Sequence, residues 1–177
     1  EVLRVIQGAH SHNVALLDVK PENFMFKDRR MGSQLVLIDF GSAQLFQKAA
    51  YAETASEYVP GADDELDTLQ RITGTALYMS PEVLRGEGHH FASDIWSLGC
   101  ILYEMAMLRS PFKSEGLNLF GLFQKISKGD YAPLPEHYST ELRDLAYAML
   151  SVDAAGRPPI DQVCTRARVM RRTTQQA

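Results

Sequence analysis

Residues 16–26 read LLDVKPENFMF. Lys20 follows Asp18 by two positions and Asn23 by five, and the polar run then gives way to Phe24, Met25 and Phe26. Taken alone, Asp18 is a surface turn aspartate ahead of Pro21. The apolar end, ENFMF at 22–26, is separated from a second apolar run, QLVLIDF at 34–40, by the polar segment KDRRMGS at 27–33. Two short apolar runs around a turn-like segment predict the strands of a small hairpin, with Asp39 near the end of the second.

Upstream of this stretch, Val2, Val5, Ile6 and Ala9 recur at helical spacing, which predicts an amphipathic helix ending near His12 and Asn13. The helix has no cap residue ahead of it, so the chain is expected to be a fragment. Downstream, residues 44–71 lack clean periodicity. Between Lys48 and Leu69 they carry Glu53, Glu57, Asp63, Asp64, Glu65 and Asp67 against one lysine, which predicts a long, acidic, mobile loop. Residues 92–108, ASDIWSLGCILYEMAML, are apolar on nearly every side. Such a helix must be buried all round, as the hub of a helical domain. Another amphipathic helix covers 117–128, and a proline-punctuated loop covers 130–138. Ser139 caps a helix that continues with Glu141 and Leu142. A last helix spans 160–172, with basic residues towards its C-terminal end, where the helix dipole favours them. The expected fold class is mainly α (α+β), a helical bundle around a buried central helix with a small β-hairpin.

A length of 177 residues suits one domain with a real core. Composition is ordinary for a globular chain, at 45% hydrophobic and 23% charged. A formal net charge of −4 argues against a dedicated nucleic-acid binder, which would present a basic face. Cys100 and Cys164 lie far apart with no CxxC pair, so they read as free thiols of a reducing compartment. No apolar run reaches the roughly 18 residues of a membrane span. No signal-peptide pattern opens the chain, and a cytoplasmic location is the default expectation. His10 and His12 lack further ligands at zinc spacing. His89 and His90 read as a solvated turn. Residues 63–67 lack the glycine and terminal glutamate of a calcium loop. Cys100, within the apolar helix, reads as core.

The segment from Asp18 to Asn23 is followed in order by Asp39-Phe40-Gly41, GTALYMSPE at 74–82, SDIWSLG at 93–99 and GRP at 156–158. Each alone is a weak signal. Together, over residues 1–165, they resemble the C-terminal lobe of a protein kinase. The resemblance implies a catalytic loop at 16–23, a DFG segment at 39–41 and an activation segment at 39–82 with an acidic insert at about 48–69. It also implies a basic C-terminal tail at 166–177, with the N-terminal lobe absent. ATP and Mg2+ would be the cofactors and a protein Ser/Thr hydroxyl the acceptor. Phosphoryl transfer passes through a loose transition state, so the protein mainly positions groups and neutralises charge. By motif position, Asp18 would orient the acceptor hydroxyl and take its proton, and Lys20 would offset charge on the transferred group. Asn23 and Asp39 would hold magnesium, a hard cation suited to oxygen ligands. Lys20, Glu22, Asn23 and Asp39 form the implied nucleotide-side set. Thr75 stands where serine/threonine kinases place a hydroxyl towards the catalytic Asp and Lys, and a plain loop threonine is its alternative. Glu82 and Arg157 resemble the family's buried ion pair. Asp94 resembles a residue bonded to the catalytic-loop amides, or is a simple dipole partner at a helix start. Phe40 and Gly41 would be structural. More specifically, SPF at 110–112, Asn118-Leu119, Lys125-Ile126, Gly129, Tyr131, PLP at 133–135, Tyr138-Ser139 and Glu141-Leu142 are similar to the NIMA-related (NEK) serine/threonine kinases.

The departures matter as much. Leu16 and Leu17 replace His-Arg. Leu16 is expected to keep the apolar stack on Phe40, itself a position where NEK enzymes often carry Leu. The family's arginine receives an activation-loop phosphate through charge-assisted hydrogen bonds, and Leu17 cannot. Arg71 stands where NEK enzymes usually keep Ser or Thr, so loop phosphorylation is expected not to switch this protein in the usual way. No glycine-rich loop, strand lysine or helix glutamate is present. Placement of reactants supplies about 7–11 kcal/mol of a barrier, so the chain alone is expected to show no appreciable turnover. Two readings follow. One is part of an active kinase, favoured by Asp18, Lys20, Asn23 and Asp39. The other is a pseudokinase or regulatory module without turnover, favoured by Leu16-Leu17 and by an apolar interlobe surface open to a protein partner. Neither a nucleic-acid nor a membrane partner is expected.

Overall fold

The computed structural model describes residues 1–30, 32–46, 76–88 and 91–176. Helix α1 (Val2–Ser11) buries Ile6 and ends at His12. Asn13 then takes a left-handed φ of 59°, which asparagine tolerates better than most residues. Strand β1 (Val14–Ala15) follows at once and pairs antiparallel with β4 (Gln44–Leu45), Val14 opposite Leu45. A bond from Phe46 N to Asn13 O at 2.8 Å lengthens this ladder. Residues 44–45 are therefore strand rather than the start of a loop, because two residues are too few to show a period. The rest of the expected acidic loop, with its insert at 48–69, lies outside the described residues.

Between these strands, a short 3-10 turn (Pro21–Asn23) with proline first leads into β2 (Phe24–Phe26). Strand β2 pairs antiparallel with β3 (Leu35–Leu37), Phe24 opposite Leu37 and Phe26 opposite Leu35. The expected hairpin is thus one of two small antiparallel pairs.

Helix α2 (Pro81–Leu84) starts with proline at its first position, where a missing N–H costs nothing. Helix α3 (Phe91–Met107) buries Ser93 through Ile101 and Tyr103. Trp96 is fully buried and stacks on Phe112, ring centroids 5.5 Å apart. Burial is partial at Phe91 and Ala92 and fails in the last turns, where Met105 is 65% exposed, so the hub is interior along most of its length rather than all of it. Gly99 explains how closely its neighbour approaches: a Cβ there would lie 3.0 Å from Met149 Cβ and 3.1 Å from Leu150.

Helix α4 (Leu119–Lys128) is capped by Asn118, whose side chain accepts from Gly121 N, and ends on left-handed Gly129. Helix α5 (Thr140–Met149) is capped by Ser139, which accepts from Leu142 N. The proline loop between them is tied down by Tyr103 Oη donating to Ala132 O and Tyr138 Oη donating to Ala106 O. Helix α6 (Ile160–Gln176) outruns the expected 160–172, so its arginines fall before its last turn. It packs along α1, closing one continuous core from Ile6 and Leu16 to Met149 and Val163. Among the described residues, no helix is long and apolar enough to cross a membrane.

Candidate active site

The 16–23 loop lies over the first turns of α3. Leu16 and Val19 are 4% and 1% exposed, so the backbone between them is pinned by core packing. Leu17 takes φ 64°, a left-handed value that costs an ordinary L-residue about 1–2 kcal/mol. Asp94 holds this turn from beneath. Its Oδ2 accepts from Leu16 N at 2.8 Å and its Oδ1 from Leu17 N at 2.7 Å. The carboxylate is 0% exposed, and charge-assisted bonds to amides offset that burial. His10 Nε2 lies 2.8 Å from Asp94 Oδ2.

One residue beyond the turn, Asp18 Oδ2 sits 2.8 Å from Lys20 Nζ and accepts from Asn23 Nδ2 at 2.9 Å. The same Nδ2 donates to Asp18 O at 2.8 Å. With its nitrogen committed to Asp18, Asn23 keeps Oδ1 as an acceptor, the atom type a hard cation takes. Asn23 O in turn accepts from Ile38 N at 3.0 Å, one step past the β2–β3 pairing. The hairpin register therefore sets Asp39 at the same end of the ladder as Asn23. Asp39 is exposed; its Oδ1 accepts from Gly41 N at 2.7 Å, which leaves Oδ2. An amide oxygen just before β2 and a carboxylate oxygen just past β3 are donors of the type magnesium takes. Glu22 is exposed within the 3-10 turn, and Thr75 lies outside the described residues.

Phe40 departs from expectation. It is 59% exposed while Leu16 is buried, so no apolar stack of the two is seen among the described residues. The turn closed by Ala43 N donating to Phe40 O lies past the hairpin's end, where the core no longer reaches.

Farther below, Arg157 and Glu82 form a bidentate pair with both bonds at 2.7 Å. Ser93 Oγ also donates to Glu82, and Arg157 donates to Ser151 O and Ala92 O. The guanidinium carbon sits 5.0 Å from the Trp96 ring centroid. Burial alone would raise the Glu82 carboxyl, but the Arg157 hydrogen bonds and charge override it and bring it down to about 2.

Of the sequence-selected residues, Asp18, Lys20 and Asn23 are in direct contact, with Asp39 tied in through the ladder. Glu82, Asp94 and Arg157 lie beneath as support. No cluster of three or more His, Cys, Asp or Glu suited to a metal occurs among the described residues. His10 bonds to Asp94, and His12 Nδ1 lies 2.8 Å from Gly8 O. His10 went unassigned by sequence, although it stands one turn after buried Ile6 on the inward face of α1. Tyr78, which donates to Glu104 at 2.6 Å, was missed as well. Burial and the Glu104 bond push its phenol far up.

The chain is similar to known protein kinases. Probable serine/threonine-protein kinase nek3 of Dictyostelium discoideum is 33% identical over 92% of this chain and 13% of its own length. Serine/threonine-protein kinase Nek8 of Danio rerio is 35% identical over 89% of the chain and 20% of its own. G2-specific protein kinase nimA of Emericella nidulans is 37% identical over 80% of the chain and 17% of its own. The chain thus spans a fifth or less of each of these relatives. Residues 1–167 match the protein kinase domain, and the chain belongs to the protein kinase family, in the company of its NIMA-related serine/threonine members.

Proposed function

We propose that residues 1–165 are the C-terminal lobe of an ATP-dependent protein serine/threonine kinase, with 166–177 as a basic tail. The observation that carries this reading is the grip on Asp18: Lys20 and Asn23 both bind its Oδ2, and the ladder ties Asn23 to the strand leading to Asp39. Bound Mg-ATP would supply the transferable phosphoryl group. Asp18, with Oδ2 engaged, would use Oδ1 to orient the acceptor hydroxyl and take its proton. Lys20 would neutralise charge developing on the transferred oxygens, and Asn23 Oδ1 and Asp39 Oδ2 would hold the metal. Glu22 would border the nucleotide side, and Thr75 would face the acceptor. A cytoplasmic location and protein substrates belong to the same proposal.

The test joins this chain to the upstream half of a NIMA-related kinase and follows labelled phosphate into casein. The fusion should transfer phosphate, and Asp18→Asn or Asp39→Asn should lower the rate by about a hundredfold or more. The 177-residue chain alone should show no turnover. A fusion that folds and binds nucleotide but transfers nothing would overturn the enzyme reading. Phosphate at Thr68 or Thr73 should leave the rate within a few fold, since Leu17 offers it no cation.

A second reading, a regulatory protein-binding module, draws on one observation. Met25, Phe26, Ile38, Phe40 and Leu45 are all more than half exposed, large apolar side chains on and beside the two small strand pairs. Nucleotide binding without transfer in the fusion would favour it.

A further inference from the structure

We propose that the cavity between the end of α1 and the starts of α3 and α6 is a binding site for an alkylguanidinium group, whose charge meets Asp161 and Gln7 while its stem lies among apolar side chains. Nothing in it depends on the role of Asp18.

The cavity has a volume of about 330 Å³, at the small end of ligand pockets and enough for one side chain or small molecule. Phe91, Ala92, Ile95, Pro158, Pro159 and Ile160 give it apolar walls. The wall at the start of α6 is rigid. Consecutive prolines fix the backbone φ there, and Arg157 beside them is bonded through all five of its N–H groups. A wall formed in advance leaves a ligand little to order.

The charge on the lining decides what the ligand is. Arg157 is neutralised by Glu82, with both bonds at 2.7 Å, and His10 is engaged with Asp94 at 2.8 Å. That leaves Asp161, whose carboxylate pairs with no lysine, arginine or histidine among the described residues. Gln7 Nε2 donates to its Oδ1 at 2.6 Å, a bond that joins α1 to α6. Asp161 Oδ2 and Gln7 Oε1 therefore remain as acceptors, on two side chains that hold each other in place. Pro158 and Pro159 offer no N–H. An anion would be repelled by the carboxylate, and a hydrocarbon would cover two acceptors without giving them a donor. A guanidinium carries its donors in one plane at the tip of an apolar stem, so a single ligand answers both the acceptors and the walls.

Nuclear magnetic resonance titration of the full 177-residue chain with butylguanidinium tests this. Shifts should centre on Gln7, Ile95, Ile160 and Asp161 and saturate with a dissociation constant of about 1 mM or below. 1-Pentanol, which has the stem without the charge, should bind about fivefold or more weakly. Asp161→Asn keeps an oxygen for the Gln7 amide but removes the charge, and should weaken butylguanidinium by about fivefold or more. The control is Asp144→Asn, at an exposed aspartate on α5 outside the cavity, which changes net charge equally and should leave binding within about twofold. The peptide acetyl-Ala-Ala-Arg-Ala-Ala-amide separates two sources of the group. Shifts at the same residues with the same Asp161 dependence would mean that the cavity takes an arginine of another protein. Binding of butylguanidinium without the peptide would mean that it takes a free small cation. Shifts that do not saturate or that spread over the surface carboxylates, a preference over pentanol below about fivefold, a loss below about fivefold in Asp161→Asn, or an equal loss in Asp144→Asn would each overturn the proposal. Should Asp161→Asn fail to fold, the pentanol comparison on the unmutated chain still decides.

Discussion

Helix α3 and the β2–β3 hairpin are both written in apolar residues, yet they end in opposite environments. From Ser93 to Ile101 α3 is buried on all faces, while Met25, Phe26 and Ile38 of the hairpin region are each more than half exposed. The cause is the number of neighbours. Helix α3 is packed by α5, by β1 and by the 3-10 turn at Ala154–Gly156, whereas β3 has its own partner strand and the flank of α1. The same contrast divides the labour. The supports of the site, Asp94 and the Glu82–Arg157 pair, belong to the buried hub. Of the two groups proposed to hold metal, Asn23 is buried in the 3-10 turn that leads into β2, and Asp39 lies exposed just past β3. The proposed site therefore runs from the buried hub out to an exposed end at Asp39, the part open to a ligand.

The sharpest way to break that division is to damage the hub. Arg157→Ala would leave the Glu82 carboxylate buried without its partner and should cost about 3–5 kcal/mol in urea unfolding. A cost below about 1 kcal/mol would mean that the pair is not anchored in the core. The same pair predicts an acid response. The Glu82 carboxyl is depressed from 4.5 to about 2, so its contribution is complete above its unfolded value and is lost as pH falls from about 5 towards 2. The loss amounts to roughly 3 kcal/mol. Subtracting the unfolding profile of Glu82→Gln from that of the unmutated chain should isolate this slope, and parallel profiles would refute it.

Smaller tests concern the middle of α3 and its C-terminal end. At Gly99, alanine gains about 1 kcal/mol in helix propensity but forces a Cβ against Met149 and Leu150, an overpacking cost of about 1–3 kcal/mol. Gly99→Ala should lower the melting temperature, with a net loss of about 1 kcal/mol; a rise would show that α5 yields freely. At the exposed end, Leu108 is left-handed at φ 54° and 90% exposed, just past the last helical residue. Leu108→Gly removes the steric penalty at a position where helices commonly end on glycine, and should gain about 0.5–1 kcal/mol.

The hub and the hairpin were legible from sequence because each carries a period or an apolar run long enough to count. Ser139 was legible because capping is a local act between residues three apart. Strand β1 and its partner β4 were not, since two residues each leave no pattern and their pairing spans the chain from Val14 to Leu45. Nor was the link from His10 to Asp94, which joins residues 84 apart and depends on how α1 crosses α3. Resemblance placed Asp18, Lys20 and Asn23, but the grip of Asn23 on Asp18 needed coordinates. Phe40 shows the reverse case, where motif position suggested packing and the described neighbours leave its ring in solvent.

The finest test lies on the hairpin. Phe26 is 66% exposed, so replacing it returns little surface to water. Phe26→Thr keeps a strand-favouring side chain while removing the ring, and unfolding free energy should change by no more than about 0.5 kcal/mol. Self-association, read by sedimentation at increasing concentration, should fall over the same substitution, because a large apolar ring left exposed among the described residues is available to adhere. A destabilisation above about 2 kcal/mol would mean that something in this chain covers the ring, and the division between buried hub and open hairpin would no longer hold.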